Sequence, residues 1–275
     1  MDCKLPNLPI RDENSNKGTF GKILNISGSE FMTGAAYLSS VAALRVGAGY
    51  VELASHPSVL KAVSTLAPEV VLSPLDKIPS IIETSTVLLI GCGLSTSKSA
   101  FQLFDSTINL ARTKAIPTII DADGLNILAQ QQIELPEKTI LTPHPKEASR
   151  LLDCTLNKIL DNLETSAKQI SEKYNCVTVL KTHNTIVTSA NNPIYHNTTG
   201  NSALAKAGSG DVLAGVIAGL VAQKMELSEA AILGVYLHGL SGDLAKEHLT
   251  AYGVLASDTV RYIPFAIKKL LTSNI

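Results

Sequence analysis

The sequence predicts an α/β fold in which a mostly parallel sheet is covered by helices on both faces. Two observations support this prediction: short apolar segments alternate with longer helical ones, and no linker or low-complexity tract interrupts the 275 residues. Such alternation is typical of parallel strands with helices packed on both faces. The length would fit one large domain or two small ones, and the missing linker favours one. We therefore expect a single domain over residues 1–275, in which the polar residues 1–17 form a surface arm.

The period and length of the apolar segments place the individual elements. Strands are predicted at residues 22–27, 50–55, 86–90, 117–120, 139–141 and 177–180, and an antiparallel pair at 185–188 and 194–195. Helices are predicted at residues 34–46, 98–112, 157–174, 211–223, 228–248 and 257–270. The segment 157–174 is amphipathic, whereas 211–223 is nearly all apolar and should be buried.

Glycine or polar residues follow five of the predicted strands, at the point where each strand ends. They are Gly28, Gly91 with Gly93, Asp121 with Asp123, His144 with Glu147, and Lys181. Ligands of open parallel sheets bind beyond the carboxyl ends of the strands. The sequence therefore predicts a substrate pocket at this edge of the sheet.

Each of these residues also has a structural interpretation. Asp121 and Asp123 offer the oxygen ligands that Mg²⁺ prefers, and they are equally suited to cap helices. His144 lies between two prolines, which indicates either a rigid turn or a fixed imidazole that hydrogen-bonds a substrate, and we favour the second. Glu147 is expected to cap the next helical turn. Lys181 is either a solvated strand end or a contact to a nucleotide phosphate.

The segment 201–222 is the most informative part of the sequence. A run of small residues ends in Gly208, Ser209, Gly210 and Asp211, and a nearly apolar helix follows. Glycines let a ligand approach the backbone, and the start of a helix offers unpaired N–H groups and a positive dipole end. The arrangement predicts a site for nucleotide phosphates, with Asp211 as a base beside them. The alternative is an ordinary turn in which Asp211 caps the helix.

Composition and absent motifs argue against several classes of protein. The formal net charge of −1 and 4% aromatic residues give no basic or stacking surface for nucleic acid. No apolar run is long enough to span a membrane, and the first residues lack the pattern of a signal peptide. The four cysteines include no Cys-x-x-Cys pair, which favours reduced thiols and a cytoplasmic location. There is no Walker A motif, no Gly-x-Gly-x-x-Gly helix start and no Gly-x-Ser-x-Gly elbow.

A series of short blocks resembles the ADP/ATP-dependent NAD(P)H-hydrate dehydratases of the ribokinase-like superfamily. The blocks occur in family order and cover almost the whole chain, so together they are specific. They include Lys-Gly-Thr-Phe-Gly at 17–21, Gly-Cys-Gly-Leu at 91–94, Asp-Ala-Asp-Gly-Leu-Asn at 121–126, Thr-Pro-His-Pro-Lys-Glu at 142–147 and Ala-Gly-Ser-Gly-Asp-Val-Leu at 207–213. The resemblance implies a ribokinase-like α/β fold. Because only the short arm precedes residue 17, we expect no epimerase domain in front.

The resemblance implies an enzyme that repairs hydrated nicotinamide cofactors. It would convert the S-epimer of NADH or NADPH hydrate (NADHX or NADPHX) to NAD(P)H, using Mg²⁺ and ADP or ATP and releasing AMP or ADP with phosphate. Asp211 would be the general base, and Ala35, Gly93 and His144 would contact the hydrate together with it. The residues that would bind the nucleotide are Lys181, Thr182, His183, Asn184, Thr185, Gly208, Ser209 and Gly210. A homotetramer is also implied, whereas the choice between ADP and ATP, the metal ligands and any potassium requirement stay open.

Several positions depart from the family pattern. Cys92 stands where Pro is common, Lys146 and Thr182 stand where Gly is usual, and Ser202-Ala203 replaces Pro-Gly. These departures bear on nucleotide preference and affinity more than on the reaction. Two other functions compete with the dehydratase: a small-molecule alcohol kinase of the same superfamily, which would release a stable phosphorylated alcohol, and a nucleotide sensor without turnover. The intact Asp211 argues against the sensor, which needs no base.

Overall fold

A nine-stranded sheet forms the centre of the protein, whose computed structural model describes residues 5–190 and 192–273. Its strands are β1 Lys22–Ile26, β2 Tyr50–Ser55, β3 Val71–Pro74, β4 Val87–Ile90, β5 Thr118–Ile120, β6 Thr139–Leu141, β7 Val177–Leu180, β8 Ile186–Ser189 and β9 Asn192–His196. All the predicted strands are confirmed, with ends that differ by at most two residues. The short β3 was not predicted, because it lies at the sheet edge and is not buried. Residues 1–4 of the predicted arm lie outside the described residues.

The strands lie in the order β3-β2-β1-β4-β5-β6-β7-β8-β9. The seven strands from β3 to β7 are parallel to their neighbours, as the alternation of strands and helices predicts. Strand β8 is antiparallel to β7, and β9 is antiparallel to β8, with Ile186 opposite His196. The predicted antiparallel pair is therefore confirmed, and it closes one edge of a mostly parallel sheet.

Helices cover both faces of the sheet. They are α1 Thr33–Arg45, α2 Pro57–Leu66, α3 Ile78–Ile81, α4 Lys98–Thr113, α5 Asp123–Leu128, α6 Pro145–Leu151, α7 Leu156–Asp161, α8 Leu163–Tyr174, α9 Ser209–Ala222, α10 Leu227–Gly253 and α11 Ala256–Ser273. Side chains of α1, α2, α9, α10 and α11 form one core, and those of α3 to α8 form the other. Ile23 and Leu24 of β1 belong to different cores, because successive strand residues point to opposite faces. Within the described residues, no helix combines the length and apolarity that crossing a bilayer requires.

The differences between predicted and observed helices have local causes. Helices α2 and α6 were not predicted, and both begin with proline, which suits the first position of a helix although it disrupts the interior. The predicted helix 157–174 is divided into α7 and α8, because Asn162 has a non-helical φ of −143°. Helix α9 begins at Ser209 rather than at 211. The short helices α3 and α5 were missed as well.

Helices α1 and α9 pack closely against each other, because the residues of α9 at the contact are glycines without side chains. A Cβ atom at Gly215 would lie 2.2 Å from the backbone oxygen of Ser39, and one at Gly219 would lie 2.3 Å from Cγ1 of Val46. Nearly every residue of α9 is buried, as its apolar sequence predicts. The contact with α1 therefore fixes the start of α9 beside the carboxyl ends of the strands.

Replacing Gly215 by alanine tests this close contact. The new methyl group would overlap backbone atoms of α1, so the helices must move apart, and overpacking of this kind costs about 1–3 kcal/mol. We expect the free energy of unfolding, measured by urea denaturation, to fall by that amount. The matched control is Gly34→Ala in α1, where a Cβ atom would meet nothing within 4 Å. Equal stability of the two variants would contradict the account of the α1–α9 contact.

Candidate active site

The strand order changes direction between β1 and β4. From β1 the chain builds the sheet outwards through β2 and β3, and from β4 it builds the other side as far as β9. Ligands of parallel α/β sheets bind at such a switch point. The segments that follow β1 and β4 are hydrogen-bonded to each other at this point. The amide of Gly28, after β1, donates a hydrogen bond of 2.7 Å to the carbonyl of Cys92, after β4.

The turn Gly91-Cys92-Gly93 after β4 is tightly packed. Gly91 and Gly93 have φ values of +122° and +61°, in the region that favours glycine. A Cβ atom at Gly91 would lie 2.1 Å from the carbonyl oxygen of Asp121, and one at Gly93 would lie 2.9 Å from Cβ of Ala35. Two of the predicted substrate contacts, Ala35 and Gly93, are therefore neighbours. The side chain of Cys92 between the glycines is fully buried.

Asp121 forms the centre of a buried polar network. Its Oδ1 atom accepts hydrogen bonds from Nζ of Lys181 at 2.6 Å and from Oγ1 of Thr142 at 2.7 Å. The three residues follow the neighbouring strands β5, β6 and β7, so the convergence predicted for the strand ends occurs here. Burial alone would lower the pKa of Lys181. The negative charges of Asp121 and Glu147 have a larger effect in the opposite direction, so the pKa of Lys181 is raised. Lys181 therefore stays a cation at physiological pH.

His144 begins helix α6 and is held by a reciprocal capping arrangement. Its Nδ1 accepts the amides of Lys146 and Glu147 at 3.1 and 3.3 Å, while Oε2 of Glu147 accepts the amide of His144 at 2.8 Å. The predicted capping role of Glu147 is confirmed, and His144 has a structural role of its own. Burial and then Lys181 lower the pKa of His144. The ring is therefore neutral, with its proton on Nε2, which lies 3.3 Å from Oε1 of Glu147.

The first turn of α9 brings Asp211 to the same place. The residue that caps α9 is Gly208, with φ +90°, and a Cβ atom there would lie 2.5 Å from Cδ1 of Leu38. Asp211 is the third residue of the helix rather than its cap, so the capping alternative is wrong. The first-turn amides of Gly210 and Asp211 have no acceptor within the helix, and the dipole is positive at this end. The start of α9 is therefore suited to an anion.

Asp211, Asp121 and Cys92 lie side by side. One carboxylate oxygen of each aspartate and Sγ of Cys92 are all within 4.8 Å of one another. Burial, and after it the charge of Asp121, raises the pKa of Asp211 to about 6, while the thiol hydrogen bond of Cys92 and the charge of Lys181 act in the opposite direction. A carboxylate with a pKa close to physiological pH is well matched to accepting a proton in catalysis.

These side chains do not make a preformed Mg²⁺ site. Mg²⁺ needs near-octahedral oxygen ligands, and the close group of potential ligands within the described residues includes the thiol of Cys92. Asp121 is already paired with Lys181, and Asp123 accepts the amide of Ser95 at 2.8 Å. The helix-capping interpretation of both aspartates is wrong as well, because no side chain caps α5, whose cap residue is Ala122. The chemistry of the site fits Mg²⁺ that arrives on phosphate oxygens better than a resident ion.

A cavity of about 720 Å³ opens beside the start of α9, which is a volume typical of small-molecule sites. The predicted site residues that line it are His144, Lys181, Thr182, His183, Thr185, Ser209 and Gly210. Asn184 instead lines a neighbouring cavity of about 570 Å³, to which Thr182 and His183 also contribute. Most of the predicted nucleotide contacts therefore surround one space.

The remaining predicted residues lie next to this space rather than on its wall. Gly208 packs against Leu38 behind the loop. Asp211 follows the lining residue Gly210 and lies against Cys92, while Ala35 is in contact with Gly93. The predicted substrate contacts Ala35, Gly93 and Asp211 are thus grouped around Cys92, and His144 lies on the cavity side.

Helix α10 contributes residues that were not predicted. His238, interpreted from the sequence as an ordinary histidine, lines the cavity, and its Nε2 lies 3.2 Å from Oγ of Ser209. Burial lowers the pKa of His238 to about 4, so the ring is neutral. Asp243 accepts the amide of Gly200 at 2.9 Å and Nδ2 of Asn201 at 2.8 Å, which holds the loop that leads to α9. Ionisable residues and glycines inside an otherwise apolar helix are the sequence signal that could have revealed these residues.

The fold and the position of the site define the class of the protein. A structure from Enterococcus faecalis described as a ribokinase-like superfamily protein has a TM-score of 0.87 and 29% identity, covering 95% of this chain and 92% of that one. The ribokinase-like fold implied by the sequence resemblance is confirmed.

The family follows from the sequence comparisons. The family model described as NAD(P)H-hydrate dehydratase matches residues 23–265, and the chain belongs to this family. An ADP-dependent (S)-NAD(P)H-hydrate dehydratase of Neisseria meningitidis is 37% identical and covers 90% of this chain and 85% of its own length. A dehydratase structure from Bacillus subtilis, co-crystallised with ATP and Mg²⁺, has 30% identity and a TM-score of 0.85, covering 95% of this chain and 94% of that one. The chain spans about half the length of the bifunctional repair enzymes that it also matches.

Replacing Lys181 by methionine tests the buried ion pair. The change leaves Asp121 buried without its cation, and removing one partner of such a pair costs about 3 kcal/mol. We expect the free energy of unfolding in urea at neutral pH to fall by roughly this amount. The control is the double variant Lys181→Met/Asp121→Asn, which should recover part of the loss because no unpaired charge remains. A single variant as stable as the parent protein would contradict this role of the pair.

Proposed function

We propose that the protein is an adenine-nucleotide-dependent (S)-NAD(P)H-hydrate dehydratase, which converts the S-epimer of NADH or NADPH hydrate to NADH or NADPH. The observation that carries the proposal is the position of Asp211. Its carboxylate lies against Cys92 and Asp121, and the two residues before it line the 720 Å³ cavity. Family membership supports the substrate, and the ADP-dependent relative from Neisseria meningitidis supports the co-substrate.

The reaction requires a better leaving group than hydroxide. The hydroxyl oxygen of the hydrated ring attacks the terminal phosphoryl group, and the bond from that phosphorus to the bridging oxygen breaks as AMP or ADP leaves. Asp211 accepts the hydroxyl proton, a general-base contribution of about 10²- to 10⁴-fold in rate. The ring carbon–oxygen bond then breaks with phosphate as the leaving group. Loss of a proton from the neighbouring ring carbon restores the double bond.

The positive charge for the phosphates comes from Lys181 and the start of α9. A Cβ atom at Gly210 would lie 3.3 Å from Nζ of Lys181, so the glycine leaves room between the ammonium and the first-turn amides. Ser209 adds a hydroxyl group that is held by His238. Fixed donors of this kind stabilise charge that develops on phosphoryl oxygens. In the turn 182–185, the hydroxyl of Thr182 donates to the carbonyl of Asn184 at 2.9 Å, so the turn is compact enough to contact the rest of the nucleotide.

The hydrate is proposed to lie on the other side of Asp211. Ala35 and Gly93 are small and lie next to each other, so neither places a large side chain where the ring is proposed to bind. The half-exposed imidazole of His144 lines the cavity and carries its proton on Nε2. It can therefore donate to a polar group of the substrate as well as to Glu147.

Mg²⁺ is proposed to enter with the nucleotide rather than to reside on the protein. When bound to the phosphates, it neutralises the charge of their oxygens. Among the residues that the structure describes, the group around Asp121 and Asp211 includes a thiol rather than oxygen ligands alone, and a relative was co-crystallised with ATP and Mg²⁺; both observations support this proposal.

Incubation with chemically prepared NADH hydrate, Mg²⁺ and either ADP or ATP tests the function. We expect the near-ultraviolet absorbance of reduced nicotinamide to return while one phosphate is released per molecule restored. Asp211→Asn should fold but lose at least about 99% of the turnover, because the attacking hydroxyl has no base. A stable phosphorylated alcohol without reduced nicotinamide would favour the kinase. Nucleotide binding without any product would favour the sensor, and full activity of the Asn variant would reject the role of Asp211.

The rate should fall on the acid side as Asp211 becomes protonated. Burial raises the pKa of this carboxyl to about 6, and only the ionised form accepts a proton, so kcat/KM should be maximal above this pH and decline below it. The measurement is a pH–rate profile at saturating nucleotide. A profile that is flat down to about pH 4, where an ordinary aspartate titrates, would contradict the assignment.

The wider organisation of the protein follows as further proposals. A single domain over residues 1–275 is supported by the one continuous sheet. The free thiols of Cys92, Cys154 and Cys176 support a cytoplasmic location. Exposed apolar side chains at Tyr252 and Phe265 support contact with further copies of the chain, in the homotetramer that the family resemblance implies.

A further inference from the structure

A chain of hydrogen bonds connects the turn after β4 to helix α6. The amide of Ser95 donates to Oδ2 of Asp123 at 2.8 Å, and Nδ2 of Asn126 lies 3.4 Å from Oδ1 of the same carboxylate. Oδ1 of Asn126 in turn accepts Nη1 of Arg150 at 2.6 Å. We call Ser95, Asp123, Asn126 and Arg150 the rim. It links the segments that follow β4, β5 and β6, and the reaction proposed above uses none of its residues.

The rim lies between two residues that are proposed to contact the hydrate. Gly93 is two residues before Ser95, and His144 caps the helix that carries Arg150. A molecule that contacts both Gly93 and His144 therefore passes beside the rim. In a nicotinamide dinucleotide, only one ribose separates the ring from the pyrophosphate. The pyrophosphate of the hydrate is thus expected close to the residues that surround the ring.

Arg150 carries a positive charge that no neighbouring carboxylate balances. Among the residues that the structure describes, Arg112 and Arg261 are paired with carboxylates, whereas Arg150 forms no ion pair. Its contact to Asn126 is with a neutral amide and uses one of the five N–H donors of a guanidinium. Arg150 is exposed, so the other donors can reach a ligand. The planar guanidinium matches the oxygens of phosphate groups.

Asn126 holds Arg150 and also separates it from Asp123. The amide oxygen of Asn126 faces the guanidinium and its NH₂ group faces the carboxylate, and the reverse orientation would place donor against donor and acceptor against acceptor. The other cation of the site, Lys181, donates its hydrogen bond to Asp121. A pyrophosphate beside these carboxylates needs a further cation, and Arg150 is placed to supply it.

We propose that Arg150, held in place by Asn126, binds the pyrophosphate of the NAD(P)H hydrate. The identity of the ligand rests on the proposed function, whereas the hydrogen bond that holds the guanidinium does not. The pyrophosphate is common to NADH hydrate and NADPH hydrate. Arg150 should therefore contribute equally to the binding of both.

Ligands with and without phosphate separate this contact from a general effect on the fold. The binding of NADH, NADPH and the phosphate-free fragment dihydronicotinamide riboside to the full chain is measured by calorimetry. In Arg150→Gln, the Kd values of NADH and NADPH should both rise about 10- to 100-fold, because hydrogen bonds to a charged group are lost. The Kd of the riboside should not change. Arg150→Lys should recover part of the affinity, since it keeps the charge without the fork.

Two further variants serve as control and as a check of the anchor. The matched control is Arg112→Gln, which removes the same charge from an arginine that is paired with Glu134, and its NADH affinity should equal that of the parent protein. Asn126→Ala should weaken NADH binding in the parent protein but have no further effect in Arg150→Gln, because both changes act on one contact.

Kinetics give a second readout that does not depend on the affinity of the riboside. With NADH hydrate, Mg²⁺ and ADP or ATP, Arg150→Gln should raise the KM of the hydrate by the same factor and leave kcat and the KM of the nucleotide nearly unchanged. This division is expected for a residue that binds the substrate away from the reacting atoms.

Other results overturn the proposal. An unchanged Kd of NADH in Arg150→Gln, an equal loss with the riboside, or a loss confined to NADPH would show that Arg150 does not bind the pyrophosphate. A parent protein that binds neither NADH nor NADPH would have the same meaning. A parent protein that binds NADH but lacks dehydratase activity would reject the proposed function, and the binding comparison would still decide the role of Arg150.

Discussion

The buried carboxylate of Asp121 and the partly buried carboxylate of Asp211 lie close together at the start of α9, and the site depends on how their charges are balanced. Asp121 and Asp211 are within 4.8 Å of each other, where like charges in a low-dielectric interior cannot both be ionised without compensation. Lys181 and Thr142 bind Asp121 directly. Burial, and after it the charge of Asp121, raises the pKa of Asp211 to about 6, because Cys92 and Lys181 offset these effects only in part. This difference supports a structural role for Asp121 and the proposed role of Asp211 as the base.

The backbone has to bring five separate segments to one point for this balance to exist. The ends of β4, β5, β6 and β7 supply Cys92, Asp121, Thr142 and Lys181, and α9 supplies Asp211. Glycines make the approach possible, because Gly91 lies against the backbone of Asp121 and Gly215 lies against the backbone of α1. The strand order changes direction between β1 and β4. These five residues therefore lie at the position where parallel sheets bind their ligands.

The sequence was sufficient for the fold class, for every strand except the exposed edge strand β3, and for the edge of the sheet at which the candidate site lies, because these follow from apolar periodicity and chain order. Short or proline-initiated helices such as α6 escaped prediction, since local pattern does not show that Pro145 begins a helix with His144 as its cap. The pairing of Asp121 with Lys181 spans 60 positions in the chain and depends on strand order, which a single sequence does not reveal.

The same limit applies to α10 and to the departures from the family pattern. His238 was interpreted as ordinary because its partner, Ser209, is distant in the sequence. Cys92 was noted only as a departure, whereas the structure places it between two carboxylates. In the proposed reaction, the hydroxyl of the hydrate meets the terminal phosphoryl group beside Asp211.

The fate of that hydroxyl oxygen tests the central claim most directly. NADH hydrate labelled with ¹⁸O in the ring hydroxyl is turned over with unlabelled ADP or ATP and Mg²⁺, and the released phosphate is analysed by mass spectrometry. If the hydroxyl attacks phosphorus with Asp211 as base, one ¹⁸O atom appears in each phosphate that is formed. Unlabelled phosphate, with the ¹⁸O in water, would contradict the account, because dehydration and nucleotide cleavage would then be separate reactions.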